Sequence, residues 1–432
     1  MMKLGLFFEG LGHHIASWRD PGVEPRDRLR LQHYVQIART AERGKFDMLF
    51  TADTNTTFGA DDMDYWRGIT SAMRLEPLTL LGALAGVTER IGLVATMTTT
   101  YNQPFSVARM FMSLDHLTGG RAGWNLVTST SASEAFNFGV EAHGSPAERY
   151  ARAKEFAQVV LGLWRSWDDG VIVADKATGQ FLDVGKGHYL NHSGEHFSVR
   201  GPLMLPPSPQ GHPVMVQAGQ SDGGRDLAAA TAEVVFTVQQ DIDQARAFYD
   251  DIKQGALRYG RGAGAVKVLP GVVIVVGATT AEAEEKYLRL QDLIQPEFGV
   301  RFLSEYFGFD LSGYPLDGPV PAVDASLADK GRLKLLVDMA RRDDLSIRQL
   351  YQRAVGQRGH RVICGTAAQI ADALALWFEG GACDGFNIMP LTFPAGLDDI
   401  VDSVIPELQR RGLFRTEYEG RTLRENLELP AP

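Results

Sequence analysis

Cysteine is scarce in this sequence: Cys364 and Cys383 are the two thiols in 432 residues, at no metal-ligand spacing. Neither a disulfide scaffold nor a zinc ribbon is expected, and a reducing compartment is the natural setting. Basic charge is also short. Lys and Arg number 43 against 53 Asp and Glu, a net charge of −10, and no long basic block interrupts it. A nucleic acid or an anionic membrane surface would need a basic face, so neither is expected as a partner. No apolar run reaches the length of a membrane span, and the opening MMKLGLFFEG passes straight into a strand pattern without an apolar leader. The expectation is a cytoplasmic protein.

What the sequence does contain is a repeated alternation of short apolar runs with stretches of helical periodicity. Strands are expected over residues 3–9, 46–52, 91–96, 122–128, 214–218, 234–238, 268–276 and 385–389. Helical spacing follows most of them, as over 28–43, 77–88, 105–117, 147–167 and 242–259. Eight strands alternating with helices predict an α/β fold, a closed (β/α)8 TIM barrel with insertions, forming one domain over 1–432. The rival is a doubly wound open sheet, which usually carries G-x-G-x-x-G after its first strand; none follows here. Two stretches exceed ordinary connections. Residues 171–211, rich in Gly, His and Pro, are expected to make an excursion with a hairpin, and the turn-rich 295–344 to form a lid. Past Gly412 no core pattern is visible.

In a barrel the residues ending each strand face one shared mouth. Asp53, Thr99, Asn125, Ser221 and Asn387 stand at or near such ends. Together they offer one carboxylate, hydroxyls and amides, and no set of metal ligands. Ser221, Gly223 and Gly224 open a helix, where free N–H groups and a hydroxyl would bind a phosphate. The plainer reading makes Ser221 an N-cap, and caps or turn residues of Asp53 and Thr99. His188, His192 and His196 are four apart, but Gly187 and Gly194 argue against a helix and for surface hairpin histidines. No metal site is expected. His13 and His14, close to Trp18, fall in the loop after the first strand.

The run GGRAGWNLVTSTSASEAFNFGVEAHGSPAERYARAKEFAQVVLGLWRSW resembles the flavin-dependent, two-component monooxygenases of the bacterial-luciferase superfamily. Within that superfamily the likeness is to the group of nitrilotriacetate monooxygenase component A, dibenzothiophene-sulfone monooxygenase and long-chain alkane monooxygenase. TADT at Thr51, TTTYNQPF at Thr98, QAGQS at Gln217 and GFNIMP at Gly385 extend the likeness over nearly the whole chain. The resemblance implies a barrel that binds FMN as FMNH2, supplied by a separate NAD(P)H-dependent flavin reductase. O2 would then react at the flavin C4a to give a (hydro)peroxyflavin that oxidises a small organic substrate. It implies flavin contacts at Asp53, Thr99 and Tyr150, with Ser221 and Gly223 at the phosphate, and a homodimer or homotetramer. Asn125 falls on the isoalloxazine or peroxide region and His14 on the substrate side. The group has a His four residues before the Tyr, where this chain has Pro146; the earlier His persists as His143. The alternatives are a deazaflavin-dependent oxidoreductase on the same fold and a flavin-binding protein without oxygenase activity.

Overall fold

The computed structural model describes residues 1–57, 63, 65–322, 331–357 and 359–432. Eight parallel strands close into a barrel: β1 (Lys3–Phe7), β2 (Met48–Thr51), β3 (Gly92–Thr98), β4 (Ala122–Val127), β5 (Val214–Gln217), β6 (Val234–Thr237), β7 (Lys267–Val276) and β8 (Gly385–Pro390). Each pairs with the next in order, and β8 returns to β1 with Leu4 opposite Phe386. These are the eight strands the sequence predicts. Their near-continuous apolar runs fit because both faces are covered. Phe7, Val94, Val216, Val273 and Met389 fill the lumen. Leu6, Leu49, Leu93 and Trp124 turn outward under the helices.

The helices begin where the sequence supplies caps. Ser145 and Glu148 form a reciprocal capping box at the start of α1 (Pro146–Trp164), with Pro146 at its first position. That placement gives the proline a structural role: its missing N–H is one that no helical carbonyl would accept. Ser221 caps the helix Asp222–Thr231, its Oγ accepting from the Gly224 N–H at 3.2 Å.

Three departures from the barrel matter. Between α1 and β5 the chain makes two small hairpins, Ile172–Asp175 with Gln180–Leu182 and His192–Ser193 with Ser198–Val199. Between β7 and β8 it adds helices Pro296–Phe307, Gly331–Arg342 and Ile347–Gln357 around a separate apolar cluster including Leu303, Phe307, Leu350 and Tyr351. Residues 323–330 of the stretch expected to form a lid lie outside those described. A ninth strand, Arg361–Gly365, then pairs with Val272–Val276 of β7. It occupies the edge that the shorter β6 leaves free, since β6 pairs with Lys267–Pro270 and β8 with the opposite edge.

The third departure corrects an expectation. The segment after Gly412, without any periodic pattern, closes the floor of the barrel. Leu423 and Leu427 are fully buried among the lumen residues. Gly92 makes room for them, because a Cβ there would stand 2.5 Å from Leu423 Cδ1. Buried ion pairs flank the plug: Arg415 with Asp47, and Arg424 with Glu233. The contacts join residues hundreds of positions apart, so no local period could announce them. Leu423→Ala opens a cavity in this floor, and the expected cost is about 2–5 kcal/mol of stability. A drop in the denaturant midpoint checks it; an unchanged midpoint would show that the floor is not part of the cooperative core.

Candidate active site

At the carboxyl ends of β2 to β5 lies a cavity of about 680 Å³, within the usual range for ligand pockets of about 300–1,000 Å³. Asp53 lines it from just beyond β2, Thr96 and Thr98 from β3, Ser129 from beyond β4, and Gln217 from β5. Tyr150, one turn into α1, closes the side nearest the helix Asp222–Thr231.

The corner at Tyr150 is tightly built. Tyr150 Oη and Ser221 Oγ are 2.9 Å apart. A Cβ on Gly223 would reach within 2.8 Å of the Tyr150 ring, and one on Gly224 within 3.1 Å of its hydroxyl. Only glycine lets the helix start come so close to the phenol. Three of the residues expected to contact a flavin, Tyr150, Ser221 and Gly223, therefore meet in one place. Gln217 adds a buried amide whose Oε1 has no hydrogen-bond partner among the described residues. A small-residue cradle, a helix N-terminus and an unsatisfied amide fit a phosphate-bearing, hydrogen-bonding ligand.

Asp53 stands 3.7 Å from Arg74. Burial pushes its carboxyl up to about 6, against the opposing pull of Arg74 and the Thr54 N–H; Glu76 and Glu134 add a smaller push upward. Glu134, which the sequence reading passes over, is buried in the wall. Its carboxylate accepts from Ser129 Oγ at 2.9 Å and from the Asn55 N–H at 3.3 Å. The one signal for it was a lone carboxylate in the uncharged run TSTSASEAFNF.

Asn125 faces the lumen beneath this cavity. Its Nδ2 donates to Thr96 Oγ1 at 2.7 Å, and that hydroxyl donates to the Thr51 carbonyl, tying β4, β3 and β2 together. Asn387 is fully buried lower in the lumen, in register with Gly5 on one side and Gly271 on the other. Thr99 does not line the cavity: its N–H and hydroxyl both donate to the Val127 carbonyl. Thr98, one residue earlier, carries the hydroxyl that does, 3.0 Å from Ser129 Oγ. His143 sits one layer back, bonded to Tyr101 Oη at 2.6 Å and to the Ser131 carbonyl. The Tyr101 ring stacks at 4.2 Å on Phe138, and Phe138 lines the cavity.

Across the Tyr150–Ser221 contact lies a second, larger space of about 1290 Å³, lined by Phe7, His13, Ser221, Arg225, Arg342 and His360 among others. His14 borders neither space. Its Nδ1 accepts from the Ala16 N–H at 3.1 Å and its Nε2 lies 3.4 Å from Gln291 Oε1.

A closed barrel with its polar groups gathered at one mouth is shared by many enzymes, so the sequence decides the relationship. The profile of the family described as luciferase-like monooxygenase matches residues 10–383. The chain belongs to that family. As a luciferase-like monooxygenase it is an enzyme, a flavin-dependent monooxygenase. It is 50% identical over 434 residues to N-acetyl-S-(2-succino)cysteine monooxygenase of Bacillus subtilis (strain 168), covering 100% of this chain and 97% of that one. It is also 50% identical over 439 residues to nitrilotriacetate monooxygenase component A of Aminobacter aminovorans, with the same coverage. The crystal structure of long-chain alkane monooxygenase (LadA) superposes with a TM-score of 0.86 at 33% identity, over 99% of this chain and 95% of that one.

The raised Asp53 gives the family member a pH signature. A carboxyl held above its ordinary value disfavours the fold once ionised, so its penalty is absent near pH 4 and complete above about pH 7. Asp53→Asn removes that penalty. Its stability relative to the parent should rise as pH climbs from 4 to 7, by at most about 3 kcal/mol. Denaturant titrations of both proteins across that range test it, and a pH-independent difference would assign Asp53 an ordinary affinity for protons.

Proposed function

We propose that this chain is the oxygenase component of a two-component system. It takes reduced FMN from a separate NAD(P)H-dependent flavin reductase and uses O2 to oxidise a small organic substrate. The observation that carries the reading is the corner where Tyr150, Ser221, Gly223 and Gly224 meet beside a polar cavity. The phosphate lies against the Ser221 hydroxyl and the first N–H groups of the helix, with Tyr150 as a second hydroxyl donor. The rest of the flavin occupies the cavity between Asp53, Thr98, Ser129 and Gln217. When bound, reduced FMN would supply the two electrons that activate O2, one atom of which goes to the substrate and the other to water.

The protein's part is to hold the flavin and exclude water. Asp53 provides a carboxyl that keeps its proton to higher pH than usual, at the edge of the cavity. Asn125, fixed by Thr96, presents its Oδ1, which has no hydrogen-bond partner among the described residues, toward the lumen. Thr99 sets the wall by joining the end of β3 to that of β4. His143 acts at one remove, orienting Tyr101 and through it Phe138. His14 braces the first loop against Gln291.

Anaerobic titration with reduced FMN, followed by rapid mixing with O2, tests the reading. Saturable binding and re-oxidation kinetics distinct from those of free reduced FMN are expected; absence of binding would sink the assignment. Ser221→Ala should weaken that binding by about 1–3 kcal/mol. Ser221→Thr, which keeps both cap and hydroxyl, should restore most of it, and equal affinity in all three proteins would remove Ser221 from the site.

A further inference from the structure

We propose that Glu134 is a positioning residue that makes this enzyme select reduced over oxidised flavin. It does so by fixing the direction of the hydroxyls along one wall of the cavity, so that they accept hydrogen bonds from a ligand and donate none. The inference rests on the oxygenase reading and adds the residue that discriminates between the two redox states of the cofactor.

Glu134 is brought to the wall by the short 3-10 helix Ala132–Phe138, which is tied to the loop after β2. Thr56 Oγ1 and Ser133 Oγ lie 2.9 Å apart, and Asn137 Nδ2 donates to the Asn55 carbonyl at 2.7 Å. Within that frame the Asn55 N–H and Ser129 Oγ both meet Oε2 of Glu134, at 3.3 and 2.9 Å. A backbone N–H can only donate, so Oε2 is an acceptor and the Ser129 proton is committed to it. With its proton spent, Ser129 accepts from Thr98, 3.0 Å away, and Thr98 accepts in turn from the Thr100 N–H at 3.2 Å. Thr96, two residues back on the same face of β3, donates its hydroxyl proton to the Thr51 carbonyl at 2.7 Å. Three hydroxyls of the lining therefore turn their protons into the protein and leave lone pairs for the cavity.

The surroundings have the same polarity. Gln217 is 4% exposed, lines the cavity, and has no donor to its Oε1 among the described residues. Asn125 donates through Nδ2 to Thr96 Oγ1, which fixes its amide so that Oδ1 is the atom left over. Asp53, Glu76 and Glu134 bring carboxyl groups to the lining, and no Lys, Arg or His among the described residues does. A wall rich in acceptors and without cations favours a ligand edge that carries N–H groups over one that carries lone pairs. Oxidised isoalloxazine has a lone pair at N5, and two-electron reduction puts an N–H there. Against this wall the oxidised ring sets acceptor against acceptor, while the reduced ring supplies the missing donor.

Control of this polarity falls to Glu134. Thr96 spends its proton on a backbone carbonyl, which no side-chain change removes. Ser129 and Thr98 depend instead on the Glu134 carboxylate, which is 3% exposed and ends their chain of hydrogen bonds. Without it their protons are free to rotate toward the cavity. A hydroxyl that can either donate or accept suits N5 of the oxidised ring as readily as that of the reduced one.

Anaerobic calorimetric titrations of the enzyme with reduced FMN and with oxidised FMN test the proposal. The parent should bind the reduced form about tenfold or more tighter. Glu134→Met, which fills the same space without an acceptor, should cut that ratio by about fivefold or more. Glu134→Gln, whose amide oxygen can still accept from Ser129 and the Asn55 N–H, should stay closer to the parent. Ser129→Ala breaks the link between Glu134 and Thr98 at its middle and should lower the ratio as Glu134→Met does. A merely structural role would weaken both forms alike and leave the ratio unmoved. The same thermodynamic cycle fixes the reduction potential of the bound flavin. It should lie above that of free FMN in the parent and fall toward it in Glu134→Met and Ser129→Ala. A parent that binds the two forms equally, or an unchanged ratio in both of those variants, would overturn the proposal and leave the oxygenase reading intact. A parent that binds neither form would overturn both.

Discussion

Closure of the barrel is the constraint on which everything else rests. Eight parallel strands satisfy one another's backbone groups around a full circle, and the edge of β7 that extends past β6 is covered by the strand Arg361–Gly365. A closed parallel barrel has two ends, and here they are treated in opposite ways. The amino ends of the strands are stoppered by Leu423 and Leu427, with Arg415 and Arg424 neutralising buried carboxylates around them. The carboxyl ends are left polar, glycine-rich and hollow. Chemistry is confined to one face because the other has been given over to packing.

At that face, backbone and side chains divide the work. Glycines decide how near elements approach: Gly12 presses the first loop onto β8, Gly223 and Gly224 admit Tyr150, and Gly271 admits His360. Hydroxyls and amides then link the strands laterally, as in the chain from Asn125 through Thr96 to the Thr51 carbonyl. These links fix the mouth before any ligand arrives, which lowers the ordering cost of binding. The insertion between β7 and β8 gathers its helices around an apolar cluster of its own, which reaches the loop after β1 through Ala16 and the lumen cluster through Leu293.

How much of this was legible in the sequence varied with the range of the interactions. The barrel strands were legible because each is a continuous apolar run bounded by turn residues. The strand Arg361–Gly365 was not: three of its five residues are only half buried, and it exists because β7 outruns β6. The floor was illegible for the same reason, since Leu423 finds Gly92 and not a neighbour in the chain. In the site, the meeting of Ser221, Gly223 and Tyr150 followed from a strand handing over to a helix, together with the family likeness. Position to the single residue did not follow. Thr98 and Thr99 are chemically alike, and only the turn of the chain at the end of β3 decides which hydroxyl faces the cavity. His13 and His14 differ in the same way, through the backbone angle at Gly12.

The stoppered floor also sets the order in which the molecule can be completed. Lys3, in the first strand, donates to the carbonyl of Asn426 and pairs with Glu428. Every strand of the barrel is therefore synthesised before the residues that seal its base. Until then the lumen is open to water at that end, and its leucines and valines are exposed to whatever else is nearby. A barrel without that last segment would keep its base open, with the apolar residues that Leu423 and Leu427 cover turned to solvent.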